Sequence, residues 1–294
     1  MPNTLPLSVV IPCYRDWHAL QRCLDALTHQ SLPADQFEIV VVDNGGGDER
    51  NKKCLLPDNA RVVVEPRPGA YAARNTGCAA ARGQFLALTD ADCVPRLDWL
   101  SQGFNYLLAG ADRVAGRIVI VSNRQRLGVV EAYESVVGFN QIAYVEAGWG
   151  ATANLFIRKR ILDEVGGFRG DLLSGGDYEW GTRASTNGFG LRYAEDVVVD
   201  HPPRATLKAL LKKRRRIAGG WRPSAGTGCA NWGYGLALVR DWLPSAATTQ
   251  RIVMANNIPI AQKIVLVAMG YGVKLYTSVW RMIYTCRRVG RPRI

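Results

Sequence analysis

Four short apolar runs, each cut off by proline, glycine or a carboxylate, fill the first third of the chain: Leu7 to Pro12, Phe37 to Asp43, Arg61 to Glu65 and Phe85 to Thr89. Their length and β-branched content predict strands that are apolar on both faces. Between the first two, Ala19, Leu20, Cys23, Leu24 and Leu27 recur at helical spacing, and Gly69 to Arg82 reads as an alanine-rich helix. Strands that alternate with helices in this way call for an α/β domain, a mostly parallel central sheet covered by helices. In such open sheets ligands bind beyond the carboxyl ends of the strands.

The residues delivered to that edge carry chemistry. Asp90-Ala91-Asp92 follows Phe85 to Thr89 directly, so two carboxylates at i and i+2 share one face, about 6 to 7 Å apart at the backbone. A divalent cation is commonly held by one or two such carboxylates together with substrate phosphates. Asp43 ends the second run and is followed by Asn44-Gly45-Gly46-Gly47-Asp48, a glycine-rich turn. Farther on, Val114 to Val121 predicts a strand, Val129 to Tyr144 a helix, Asn154 to Ile157 a strand and Arg160 to Val165 a helix. Gly175-Gly176-Asp177-Tyr178-Glu179-Trp180 opens another helix with Asp177 near its amino end, and Leu191 to Val199 predicts a strand finishing at Asp200-His201-Pro202-Pro203.

A formal charge of +12 suggests a nucleic-acid binder until it is divided along the chain. Residues 206–294 hold sixteen Lys and Arg against the single acid Asp241, a charge of +15, which leaves −3 for residues 1–205. The expectation is a catalytic domain at 1–205 and a helical, basic, membrane-associating extension at 206–294, with no nucleic acid as partner. Within the extension Leu207 to Ala218 is a basic amphipathic helix. Residues 264–273 are uncharged, but Lys274 follows, so the run is too short for an uninterrupted span. On a helix Lys263, Val267, Gly270, Lys274, Thr277, Ser278, Arg281 and Arg288 form one narrow stripe with apolar residues around the rest, a pattern suited to the surface of an anionic bilayer. Packing on the catalytic domain or on a second subunit is the alternative. Seven cysteines with no Cys-x-x-Cys pair fit neither a disulfide framework nor a zinc site, and the amino terminus lacks a basic segment followed by a long apolar stretch. Both point to the cytoplasm, with the protein peripheral on the cytosolic face of a membrane.

Several segments together resemble a known family. Val10-Ile11-Pro12-Cys13-Tyr14, Val41-Val42-Asp43-Asn44-Gly45, Ala73-Arg74-Asn75-Thr76-Gly77, Thr89-Asp90-Ala91-Asp92, Gly166-Gly167-Phe168 and Gly176-Asp177-Tyr178-Glu179 occur in the order and approximate spacing of the inverting family 2 glycosyltransferases. The resemblance covers residues 7–203 and implies the GT-A fold, a single Rossmann-like domain. It implies that Pro12, Tyr14 and Asp43 hold the base and ribose of a nucleoside-diphosphate sugar, that Arg74 and Asn75 lie beside the diphosphate, and that Asp90 and Asp92 bind ribose and a Mn²⁺ or Mg²⁺ ion. By the same resemblance Asp177 is the general base, and His201 is a metal ligand or diphosphate contact. Two positions depart from the family pattern: Gly176 stands where an acidic residue often precedes the base, and Asn44 where a second carboxylate often follows Asp43. Arg215-Arg216 and Trp221 echo the Arg-Arg-x-x-Trp element of processive polymer synthases with incorrect spacing, which favours a non-processive enzyme.

The implied function is transfer of a sugar from the donor to a hydroxyl of a lipid-linked or cell-surface glycan, with acceptor contacts around Trp149-Gly150 and the tail. Loss of a diphosphate needs stabilised negative charge, and the attacking hydroxyl needs a base on the opposite face of the sugar. Two other readings stay open. One is a non-catalytic basic membrane or nucleic-acid binding protein on a degenerate sugar-nucleotide fold. The other is a nucleotidyltransferase, against which Pro12-Cys13-Tyr14-Arg15 stands where a glycine-rich loop is expected.

Overall fold

The computed structural model describes residues 5–45, 54–122, 124, 126–220, 242–256 and 258–286. In chain order the first elements are β1 (Leu7–Cys13), α1 (Trp17–Thr28), β2 (Phe37–Asp43), β3 (Ala60–Val64), α2 (Ala70–Ala80), β4 (Phe85–Thr89), β5 (Val94–Pro95) and α3 (Trp99–Leu108). Then come β6 (Arg113–Ile120), α4 (Val129–Val137), α5 (Gln141–Glu146), β7 (Asn154–Arg158), α6 (Arg160–Val165), α7 (Gly176–Thr186) and β8 (Leu191–His201). The helices α8 (Leu207–Gly220), α9 (Ala246–Met254) and α10 (Ile260–Cys286) complete the described chain.

The strands form one sheet in the order β3-β2-β1-β4-β7-β6-β8-β5. Its first four strands are parallel; β2 is buried along its whole length, whereas β3, at the sheet edge, exposes Val62 and Val64 and so is not covered on both faces as its apolar run suggested. From β4 onward β7 runs antiparallel to both neighbours, and β5 runs antiparallel to β8. The chain winds from β1 through β2 to β3 in one direction and returns to place β4 on the other side of β1. That reversal opens a crevice at the carboxyl edge between β1 and β4. Cys13 pairs with Asp43, and Asp90 follows the last residue of β4, so the predicted carboxylates stand along one rim.

The predicted helix at Val129 to Tyr144 is in fact two. Gly138 donates its N–H to Glu134 O and ends α4, and the side chain of Asn140 accepts the N–H of Ala143 and starts α5. Neither α3 nor the two-residue β5 follows from the apolar-run reading.

Two compact units result. One comprises residues 1–119, 140–172 and 176–202; the other comprises 120–139, 173–175 and 203–294, so α4 folds with the helices of the basic tail. In the second unit Tyr133, Leu210, Ile252, Leu266 and Val273 form the core. Buried Glu134 accepts from Lys213 Nζ and Arg204 N–H, both at 2.8 Å. Burial and the Arg204 charge pull the Lys213 ammonium down to about 8 despite that pairing. On α10 the stripe predicted to be polar turns inward: Gly270, Thr277 and Ser278 are buried, whereas Ile260, Ile264, Val265 and Val279 are exposed; Arg288 lies outside the described residues. No described helix is long and apolar enough to cross a membrane. Arg215 lies over the Trp280 ring, 4.0 Å from its centroid, and Arg216 donates to Leu173 O; Trp221 lies outside the described residues.

Candidate functional site

At the rim of β1 and β2, Pro12 pairs with Val42 inside the sheet and Tyr14 emerges with half its surface exposed. Arg15, at φ +58°, takes the left-handed conformation that L side chains rarely adopt, and its guanidinium lies 5.3 Å from the Tyr14 ring centre. Such strain persists only where the surrounding structure holds it. Asp43 is buried and its Oδ1 accepts the N–H of Gly45 at 2.9 Å. Asn44 shows why this chain lacks a second carboxylate there. Its Nδ2 donates to the carbonyls of Glu65 (2.8 Å) and Arg67 (2.7 Å), and its Oδ1 accepts the N–H of Gly69 at 2.9 Å, so it ties the end of β3 to the start of α2. A carboxylate has no proton to offer those two carbonyls.

Each residue from Arg74 to Gly77 has a separate task. Gly77 lets α2 lie against the sheet, since a Cβ there would come within 2.4 Å of Val10 Cγ1. Thr76 donates to Glu65, whose carboxylate also receives the Arg67 guanidinium and backbone N–H; these bonds hold it down at about 2 against the upward push of burial. Asn75 binds the backbone of Phe168 through both ends of its amide, donating to the carbonyl at 2.7 Å and accepting the N–H at 2.8 Å. It fastens the Gly166-Gly167-Phe168 segment to α2. Arg74 is 4% exposed, packs over Tyr71 and is ion-paired to Asp90. Burial disfavours its charge, but the carboxylates of Asp90 and Asp177 outweigh burial and raise it above the ordinary value. Its Nε–H has no hydrogen-bond partner among the described residues.

Asp92 and His201 meet because β5 pairs with β8: Val94 lies opposite Asp200, which brings the residues just outside that pair together. His201 Nε2 stands 3.6 Å from Asp92 Oδ2. On its other side Nδ1 is 2.8 Å from Pro202 O, and a carbonyl only accepts, so Nδ1 carries a proton and Nε2 is the ring nitrogen turned toward Asp92. That arrangement orients a histidine as a metal ligand. Asp92, Cys93 and His201 offer ligand atoms within 4.8 Å of one another. Burial, then the charges of Asp90 and Asp92, push the Cys93 thiol well up, so it stays protonated beside Ala153 O. The carboxylate and imidazole that remain suit Mn²⁺ or Mg²⁺ better than a thiolate-seeking ion.

Asp177 occupies the first turn of α7, and Thr152 donates to its Oδ1 at 2.9 Å. Burial raises its carboxyl above the usual range, with Asp90 adding to the effect and Arg74 and Thr152 opposing it. Of its aromatic neighbours in the chain, Tyr178 is exposed, and Trp180 is buried on Phe168 with its indole N–H on Gly166 O. Gly176 also finds its explanation, because a Cβ there would lie 2.7 Å from the Tyr71 ring. Glu179 pairs with Arg183 at 3.0 Å and serves the helix. Asp90 and Asp177 therefore both act on the Arg74 guanidinium, while Asp92 and His201 lie side by side near Asp90. Thr152 and Tyr71 are missing from the sequence reading. Neither stands in a motif, and only the fold brings them to Asp177 and Arg74.

Comparisons with known proteins bear on the family and the fold. A family model described as glycosyl transferase family 2 matches residues 8–170. Over 228 residues the chain is 36% identical to glycosyltransferase AglE of Haloferax volcanii, covering 75% of this chain and 74% of that protein. It is 26% identical to the pre-mycofactocin glycosyltransferase of Mycobacterium tuberculosis over 76% of this chain, but spans only 48% of that relative. Among solved structures, mannosyltransferase PcManGT from Pyrobaculum calidifontis, in complex with GDP-Man and Mn²⁺, aligns with a TM-score of 0.62 at 20% identity, covering 97% of this chain and 88% of that one. S. aureus TarS 1–349 in complex with UDP-GlcNAc aligns at 0.52 with 17% identity over 91% of this chain and 72% of that one. The fold is shared with both.

Proposed function

The chain belongs to glycosyltransferase family 2, and from that premise we propose that it is an inverting, metal-dependent enzyme moving a sugar from a nucleoside diphosphate to a hydroxyl of a glycan or lipid-linked acceptor. The observation that carries this reading is the shared guanidinium: Arg74 is ion-paired to Asp90, and its charge also acts on Asp177, which supports a leaving-group side and a base side around one place. Asp43, with Pro12 and Tyr14 at the same rim, receives the nucleoside. Asp92 and His201, beside Asp90, would hold a Mn²⁺ or Mg²⁺ ion. Such an ion neutralises charge that develops on a departing diphosphate.

Asp177 takes the proton of the acceptor hydroxyl as its oxygen bonds to the anomeric carbon, and the bond from that carbon to the diphosphate oxygen breaks with its electron pair leaving on the nucleoside diphosphate. In-line attack inverts the anomeric centre. The raised affinity of Asp177 for a proton strengthens it as a base near neutral pH. Asn75 acts indirectly, by holding the Gly167-Phe168 backbone. The basic charge of residues 206–294 and the exposed Ile260, Ile264, Val265 and Val279 support residence on an anionic membrane surface at its cytosolic face.

The test is a thermal-shift screen against uridine, guanosine and thymidine diphosphate sugars with Mn²⁺ and with chelator. One donor class stabilises the protein in Mn²⁺, and chelator or Asp92→Asn removes the shift. No shift from any donor with metal present contradicts the reading.

A further inference from the structure

Asp177 shares its loop and helix with a cluster of aromatic rings that neither the donor nor the metal uses. The turn from Trp149 to Thr152 carries both: Thr152 donates to Asp177, and three residues earlier Trp149 lies against α7 at Gly181, where a Cβ would come within 2.5 Å of Trp149 Cβ. Asp177 and Gly181 are one helical turn apart on one face, about 6 Å along the axis. The indole is fixed from behind by Tyr144, stacked at 4.0 Å and 20°, and meets Tyr178 edge-on at 6.0 Å and 83°. Tyr178, next in the chain to Asp177, is 56% exposed, and its hydroxyl makes no hydrogen bond among the described residues. A tyrosine that exposes this much ring in the first turn of the base helix, braced by a stacked pair, is placed to receive something flat.

Given the glycosyl-transfer reading above, on which this rests, we infer that Trp149 and Tyr178 form the acceptor subsite and that it takes a pyranose ring, so that the acceptor is a saccharide and not a bare lipid phosphate. The C–H groups on one face of a pyranose are weakly positive and apolar, and they complement the negative face of an aromatic ring, leaving the hydroxyls free at the rim. A phosphate acceptor would instead need a cation beside α7. In the first unit the arginine of that helix and the one in the segment leading into it are already engaged: Arg183 with Glu179 and the carbonyls of Val165, Gly166 and Gly167, and Arg169 with Asp171. Arg74, the cation acting on Asp177, is held by Asp90.

The experiment uses the full chain with the donor that the thermal-shift screen selects, and offers it p-nitrophenyl glycosides of common hexoses or farnesyl phosphate. The wild type transfers to at least one glycoside. Tyr178→Ala raises the KM for that glycoside about tenfold, with the donor KM as internal reference. Tyr178→Phe, which keeps the ring, restores the wild-type value, and Trp149→Phe gives an intermediate one. The inference is overturned if Tyr178→Ala leaves the acceptor KM within twofold of wild type, if donor and acceptor KM rise together, or if farnesyl phosphate is accepted and the glycosides are not. If no donor is consumed with or without any acceptor, the glycosyl-transfer reading itself fails and the subsite falls with it.

Discussion

Replacing Asn44 by Asp would bring this chain closer to the pattern of its family and should nevertheless damage it. The amide donates to Glu65 O and Arg67 O at 2.8 and 2.7 Å and accepts from Gly69 N at 2.9 Å. Aspartate keeps the acceptor and loses both donors. A buried acceptor left without its partner costs about 1 to 3 kcal/mol. The Glu65 end is buried, and the Arg67 carbonyl is closer to water, since that side chain is 72% exposed, so the two sum to about 3 kcal/mol. At roughly 2 to 4 °C per kcal/mol for a domain of this size, the melting midpoint should fall by about 6 to 12 °C. The assay is circular dichroism melting at pH 7 without ligand, wild type against Asn44→Asp. A midpoint within about 2 °C of wild type would refute the claim that the amide ties β3 to α2.

Two further perturbations test the same scaffold. The Glu65 carboxyl is held at about 2, below the ordinary value of about 4.3, so it contributes stability that is fully present above the ordinary value and lost as pH falls from there through 2; in urea unfolding, Glu65→Gln should be destabilised at pH 6, and the gap from wild type should narrow steadily as pH is lowered from about 4 toward 2. Gly77→Ala places a Cβ 2.4 Å from Val10 Cγ1 and 2.8 Å from Val42 Cγ2; overpacking of about 1 to 3 kcal/mol should exceed the helix-propensity gain of about 1 kcal/mol, lowering the urea midpoint.

The parallel half of the sheet was legible because strands buried on both faces carry unbroken apolar runs, and Val9 to Ile11 and Ile39 to Val42 are such runs. The carboxylates at its edge were legible for the same reason, since Asp43 and Asp90 are where those runs stop. What escaped is what depends on distant partners. Asn75 is a clamp only because Phe168 lies beside it, and Val94–Pro95 is a strand only because β8 pairs with it. Trp99, Leu100, Phe104 and Leu107 do carry helical spacing, which a search for apolar strands passes over. On α10 the stripe itself was readable but its direction was not: periodicity shows that two faces differ, and Tyr133 packing on Gly270 decides that the polar one turns inward.

One substitution tests most directly whether a carboxylate across from the leaving group does the chemistry. Asp177→Asn keeps the acceptor oxygen for the Thr152 hydroxyl and removes the charge that burial opposes, so the protein should stay folded and bind its nucleotide sugar with wild-type affinity by calorimetry. Sugar transfer should fall by about 10² to 10⁴-fold. Transfer within threefold of wild type, or binding lost together with activity, would contradict the assignment.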